Sequence, residues 1–244
     1  MRYFRRQIAL HGVDLRLNTR ATSALLLEER FDEIVLATGI VPRIPSIEGI
    51  DHPKVLSYLD VLRDDRAVGN RVAIVGAGGI GFDVAEFLTQ SSEPPSLSPR
   101  KFFAEWGVDP TYATAGGVCA PRPEPAKRHI SLLQRKKSKV GDRLGKTTGW
   151  IHRTALKARG ISMTGAVEYR RIDDDGLHVE IDGVSQTLTV DNVVICAGQE
   201  PLRELAMQLQ AIGRSIHLIG GADVAAELDA KRAIHQGTML GATL

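Results

Sequence analysis

Cysteine is nearly absent from this sequence: its 244 residues contain two, Cys119 and Cys196, and no C-x-x-C. Two thiols so far apart cannot build a four-cysteine zinc site or an iron–sulfur cluster. They also make no paired redox motif of the thioredoxin kind. Cys196 lies inside the apolar run "VVICAG" and reads as a small buried hydrophobe. Any redox chemistry must therefore run through a bound organic cofactor. An excess of one charge is lacking too. The net charge of +2 gives no global attraction to nucleic acid or to an anionic membrane, and neither is expected as a partner. No apolar run approaches the roughly 20 residues that a membrane span needs. The opening "MRYFRRQIAL" is basic but has neither the apolar core nor the cleavage site of a signal peptide. The expected compartment is the cytoplasm.

What is present is ordinary for a soluble globular chain: 43% hydrophobic residues, 25% charged residues and 24 glycines. The length allows one large domain or two smaller ones. Helical spacing predicts a helix over 2–11 ending at Gly12, and "VDLRL" alternates as a strand. "FDEIVLATG" contains a short apolar strand, "VPRIPSIEGIDHP" is a proline-punctuated crossing, and "KVLSYLDVL" reads as a short helix. "RVAIVGAGGIGFDVAEFLTQ" is a strand, a glycine turn and a helix. Residues 91–127, with seven prolines, read as an irregular surface insertion.

Order returns with "HISLLQ" as a strand, the basic turn "RKKSKVGDRLG", and a helix over "TTGWIHRTALKARG". Thr147 or Thr148 is the candidate N-cap of that helix, and Gly160 ends it. The turns "DDDG" and "IDG" suit a small antiparallel meander. "SIHLIGG" closes the chain as a strand, followed by "ADVAAELDAKRAIHQGTML" as a helix. Strands alternating with helices indicate an α/β protein with a mostly parallel sheet. The chain starts without a strand and glycine loop, and its last strand–helix pair follows a finished central unit. The simplest reading inserts one domain, 66–198, into an incomplete one made of 1–65 and 199–244.

Gly76, Gly78 and Gly81 fit G-x-G-x-x-G, with Gly79 a fourth glycine. In such a fingerprint the first glycine permits a tight turn, the second lets backbone approach a pyrophosphate, and the third lets helix and strand pack closely. The helix from about Gly79, through Ile80, would present unpaired N–H groups and its positive dipole end to phosphate. Alone, the motif equally describes a structural turn; the clean strand before it and the amphipathic helix after it favour a nucleotide site. The count for an acidic residue on a ribose 2′-hydroxyl, roughly 20 residues on, lands near Lys101 in the irregular insertion and so fails. The next strand ends instead in Gln134 followed by Arg135, Lys136 and Lys137, with Lys139 just beyond. Cations there suit a 2′-phosphate, and so NADPH rather than NADH, although a basic turn is more commonly a solvated loop.

"GDRLGKTTG" fails as a phosphate loop of the G-x-x-x-x-G-K-[ST] type, because Val140 stands where glycine is needed. The seven histidines show no metal-ligand spacing, and no metal site is expected. His152 has no identifiable partner, no Ser/His/Asp grouping emerges, and no catalytic residue is assigned.

The strand ends "IVLATGIVPRIP" and "VVICAGQEP", with Gly39 and Gly198, resemble the places where two-dinucleotide-binding-domain flavoproteins cross between FAD and NAD(P)H domains. The tail "HLIGGADVAAELDAKRAIHQG" is similar to that group's C-terminal FAD motif, with Gly220, Gly221, Ala222 and Asp223 at the matching positions. The resemblance implies that Asp223 meets the ribitol or phosphate part of FAD; as a residue alone it reads equally well as a helix N-cap. Together with "LLQRKKSK" and "LGKTTGWIHR", the motifs resemble the C-terminal third of bacterial NADPH-dependent 2,4-dienoyl-CoA reductases. That resemblance implies a Rossmann-like NADPH domain inserted in a partial FAD domain. Hydride would pass from NADPH to FAD, and then through a four-iron–four-sulfur cluster and FMN to a dienoyl-CoA in fatty-acid β-oxidation. The cluster, the FMN and the TIM barrel that carries them are expected in a further region outside this chain, which would be its partner. The chain is thus expected to be a fragment with an incomplete FAD site and no dienoyl-reducing activity of its own. A thioredoxin-reductase relative, disfavoured by the missing C-x-x-C, and a non-catalytic NADP-binding module are the alternatives.

Overall fold

The computed structural model describes residues 1–90, 93–226 and 229–244. They form two compact units, one of residues 1–41 with 200–244, the other of residues 42–199.

The second unit is built on a five-stranded parallel sheet. Its spatial order is Val55–Ser57, Asn192–Ile195, Arg71–Val75, His129–Leu133, Ser162–Thr164. Side chains of these strands alternate between two faces, as the pleat requires. Val72, Ile74, Ile130, Leu132 and Val194 pack on the helices Gly79–Thr89 and Gly149–Ala158 through Phe82, Val84, Leu88 and Leu156. Ala73, Val75, Leu133, Val193 and Ile195 face the opposite way. They are covered by Val167, Ile172, Leu177 and Val179 of the antiparallel meander Val167–Asp173, Gly176–Ile181 and Val184–Leu188. The expected α/β architecture, with a parallel Rossmann-like sheet and a small antiparallel meander, is the one observed.

The first unit contains a two-stranded parallel sheet, in which Val35 pairs with His217 and Leu36 with Leu218. Ile34 and Leu36 pack there on Ala206 and Leu209 of the helix Glu204–Ala211.

Several local expectations are corrected. The compact units part at 41/42 and 199/200, not at 65/66 and 198/199. The cause is Val55–Ser57, which is a strand of the central sheet and not the start of a helix. The helix begins only at Tyr58, where Ser57 Oγ accepts from Asp60 N–H at 3.2 Å and Asp60 Oδ2 accepts from Ser57 N–H at 2.7 Å. Residues 13–17 form no strand and are exposed; alternation alone cannot hold a strand without a partner. The insertion is partly regular. Pro99–Trp106 is a helix with Ser98 as N-cap and Gly107 in the left-handed conformation at its C-terminus. Glu105 of this helix pairs with Arg159 at 2.7 Å, and Arg159 also donates to Thr89 Oγ1 at 3.1 Å. The final helix is Ala230–Gly241, capped by Asp229, whose side chain accepts from Arg232 N–H; Asp223 is therefore not its N-cap. Within the region expected to be helical, Glu227 and Leu228 lie outside the described residues. Among the described residues no helix is long and apolar enough to cross a membrane.

Candidate functional site

The glycine turn follows the central strand Arg71–Val75 and opens the helix Gly79–Thr89. Its glycines answer to different demands. Gly76 has φ +111°, and a Cβ there would lie 2.3 Å from the Cys196 carbonyl oxygen. At Gly81 a Cβ would lie 1.9 Å from the Gly76 carbonyl oxygen, so helix and turn touch backbone to backbone. Gly78 and Gly79 are exposed, neither has a positive φ, and a Cβ at either would meet nothing within 4 Å. No protein contact requires glycine at these two positions. The first i→i−4 bond of the helix runs from Phe82 N–H to the Gly78 carbonyl at 3.1 Å. The N–H groups of Gly79, Ile80 and Gly81 lie ahead of it, at the positive end of the helix dipole. Gly78, the N-cap, has φ −83° and ψ −172° and no side chain to satisfy them.

Register places the basic turn beside this cradle. Val75 is level with Leu133, and Gly76 N–H donates to the Leu133 carbonyl at 2.9 Å. Gln134 and then Arg135, Lys136 and Lys137 therefore leave the neighbouring strand at the same carboxyl edge of the sheet. These three cations are exposed, and among the described residues none has an acidic partner. Gly198, on the other flank, follows the strand level with Val75 at Ile195. It has φ +105°, and its carbonyl accepts from Arg43 N–H at 3.0 Å. The predicted residues of the inserted domain thus share one edge, that at which open α/β sheets bind ligands.

Cys196 is buried beside this edge. Burial, with a smaller contribution from the Asp83 charge, pushes its thiol up to about 12. A protonated thiol is neither a good nucleophile nor an electron donor, so the buried hydrophobe expected from sequence is what is found. His152, for which the sequence identifies no partner, has its Nδ1 3.3 Å from Glu86 Oε2 on the helix of the glycine turn. The spacing of two residues on separate helices left no mark in the sequence.

The other predicted set lies in the first unit. Gly39 and Gly220 follow the paired strands Val35–Leu36 and His217–Leu218. A Cβ at Gly221 would come within 2.8 Å of Ile40 Cγ2 and 3.1 Å of the Gly39 carbonyl carbon, so glycine at 221 serves packing. Gly220 N–H donates to Gln236 Oε1 at 2.8 Å, and Gln236 Nε2 donates to Asp223 Oδ2 at 2.6 Å. Ala222 is fully buried, and its carbonyl accepts from Arg203 Nε at 2.9 Å; Arg203 also donates to the Asp223 carbonyl. Asp223 Oδ1 has no hydrogen-bond partner among the described residues, and Asp223 lines a cavity of about 450 Å³ together with His217, Ile219 and Gln236.

A profile of the pyridine nucleotide-disulphide oxidoreductases matches residues 8–229. The chain belongs to this family. Members of this oxidoreductase family use a flavin and a pyridine nucleotide, and the relatives found are reductases and oxidases. The chain is 27% identical over 221 residues to a metal reductase of Desulforamulus reducens, covering 86% of this chain and 31% of that protein. It is 42% identical over 86 residues to a cinnamate reductase of Clostridium sporogenes, covering 35% of this chain and 13% of that one. The solved 2-naphthoyl-CoA reductase in complex with 2-naphthoyl-CoA superposes with a TM-score of 0.74 at 26% identity, covering 100% of this chain and 31% of that structure. The chain thus spans less than a third of the length of these relatives.

Proposed function

We propose that this family member binds NADPH at the edge bounded by the glycine turn and the basic turn, and works as the FAD- and NADPH-binding part of a longer flavoenzyme. When bound, the nicotinamide supplies a hydride and the flavin accepts it. The chain's own residues do the holding. Amides of Gly79, Ile80 and Gly81 face the pyrophosphate over the bare Gly78, while Arg135, Lys136 and Lys137 hold the 2′-phosphate by charge-assisted hydrogen bonds. Gly198 bounds the site on its far side. In the first unit Asp223 offers its free carboxylate oxygen to FAD, next to Gly39, Gly220, Gly221 and Ala222. That set alone supplies no second glycine turn at a helix N-terminus among the described residues, so FAD binding by this chain by itself is weak.

The observation that carries the proposal is the open space over Gly78 and Gly79 next to cations one strand away that have no acidic partner among the described residues. The donor set suits an anion with a second phosphate near its adenosine. The specific parent activity, NADPH-dependent reduction of 2,4-dienoyl-CoA in the cytoplasm, is part of the same proposal and rests on the sequence resemblance. The FMN, the iron–sulfur cluster and the TIM barrel would lie in the remainder of that enzyme.

Titrating NADPH and NADH into the wild type and Arg135→Ala tests the nucleotide site. Loss of one charge-assisted contact should weaken NADPH by about ten- to a hundredfold and leave NADH within about twofold. Equal affinities for the two coenzymes, unchanged by the substitution, would remove the 2′-phosphate assignment.

A further inference from the structure

Gln134 is one of two buried polar side chains among the described residues, at 8% exposure, and it sits at the root of the basic turn. Its backbone is fixed on both sides: its N–H donates to the Thr164 carbonyl at 2.8 Å, and its carbonyl accepts from Val167 N–H at 3.0 Å. Its side-chain amide turns back under the residues that follow. Nε2 donates to the Lys136 carbonyl at 3.1 Å and to the Ser138 carbonyl at 2.8 Å, with Ser138 Oγ at 3.4 Å. Ala166 N–H donates to the same Lys136 carbonyl at 3.0 Å. Gly165 closes the far side, where a Cβ would lie 3.2 Å from the Lys136 oxygen and 3.3 Å from the Ser138 oxygen.

The chemistry of this arrangement is specific. The turn draws two carbonyls inward onto one neutral donor, while Arg135, Lys136 and Lys137 are all exposed. A carboxylate at 134 would repel both carbonyls, and an apolar side chain would leave the Ser138 carbonyl without its donor. A buried polar group left unsatisfied costs stability, while a satisfied one fixes a single conformation. Side chains that touch a ligand hold their geometry when such a supporting contact locks the backbone beneath them.

We propose that Gln134 is a positioning residue for coenzyme choice: by gathering the Lys136 and Ser138 carbonyls it presents the basic turn to a phosphate on the adenosine ribose. This rests on the reading of that turn as a 2′-phosphate site. The role is to set the preference for NADPH over NADH, with no contact to the coenzyme by Gln134 itself.

The test measures dissociation constants of NADPH and NADH, and of the fragments 2′,5′-ADP and 5′-AMP, for the wild type and four variants. The variants are Gln134→Met, Gly165→Ala, the triple variant Arg135→Ala/Lys136→Ala/Lys137→Ala, and the triple variant carrying Gln134→Met as well. Removing a neutral donor pair should weaken NADPH and 2′,5′-ADP by about three- to tenfold and leave NADH and 5′-AMP unchanged. Gly165→Ala, which crowds the same carbonyls from the other side, should shift the preference in the same direction. If Gln134→Met does not fold, this second variant decides the matter alone. In the triple background Gln134→Met should change nothing further, because the cations it positions are gone. An equal loss on both coenzymes, or an undiminished effect in the triple background, overturns the positioning role while leaving the site in place. A triple variant that keeps the wild-type preference instead removes the site, and the proposal with it.

Discussion

The two glycine-rich strand ends of this chain look alike in sequence and differ in what they ask of glycine. In the second unit Gly76 and Gly81 are demanded by backbone contacts, whereas Gly78 and Gly79 border empty space. In the first unit Gly221 is packed on Gly39, and the Gly220 amide is already taken by Gln236. The space over Gly78 and Gly79 is open, whereas after Leu218 the Gly220 amide and one carboxylate oxygen of Asp223 are already engaged by Gln236.

The strongest way to break this contrast is Gly81→Ala. A methyl group 1.9 Å from a carbonyl oxygen must push helix and turn apart, with an expected loss of about 3 kcal/mol, the upper end for overpacking. Urea unfolding measures it, and a loss below about 1 kcal/mol would mean that the close approach is not a constraint.

Gly78→Ser separates protein demand from ligand demand. Serine is a better N-cap than glycine, and φ −83° suits it, so stability should hold or rise by a few tenths of a kcal/mol. The side chain nevertheless fills the space over the turn, and NADPH affinity should fall by at least about tenfold, or about 1.4 kcal/mol. Unchanged affinity would show that the open space is not where the pyrophosphate lies.

The smallest expected effect is Gln236→Met in the first unit. It removes the acceptor from Gly220 N–H and the donor to Asp223, at a cost of about 1 kcal/mol of stability. NADPH affinity should not move. A shift in coenzyme binding would overturn the assignment of NADPH to the glycine turn after Val75.

What the sequence made legible follows the same division. The strand, glycine turn and helix were readable because each residue type is forced locally, and the neighbouring basic turn because parallel strands in register bring successive ends together. Val55–Ser57 was hidden because a three-residue strand runs straight into a helix, so one apolar run carries two periods. The Ser57–Asp60 capping pair was the available signal. The helix Pro99–Trp106 was masked by proline density, although Ser98, Pro99 and Gly107 are the start and stop signals of a helix. Nothing local could mark the support given by Gln134 or the pairing of His152 with Glu86. Both depend on residues brought together only by the tertiary fold.

The strand order carries a consequence for the growing chain. Asn192–Ile195 lies between Val55–Ser57 and Arg71–Val75, so during synthesis the earlier two strands hold bare apolar edges until Ile195 has emerged from the ribosome. Such edges recruit other chains. Polypeptides cut short before Asn192 should accumulate as aggregates, and chaperone dependence should end once that last strand slots into the middle of the sheet.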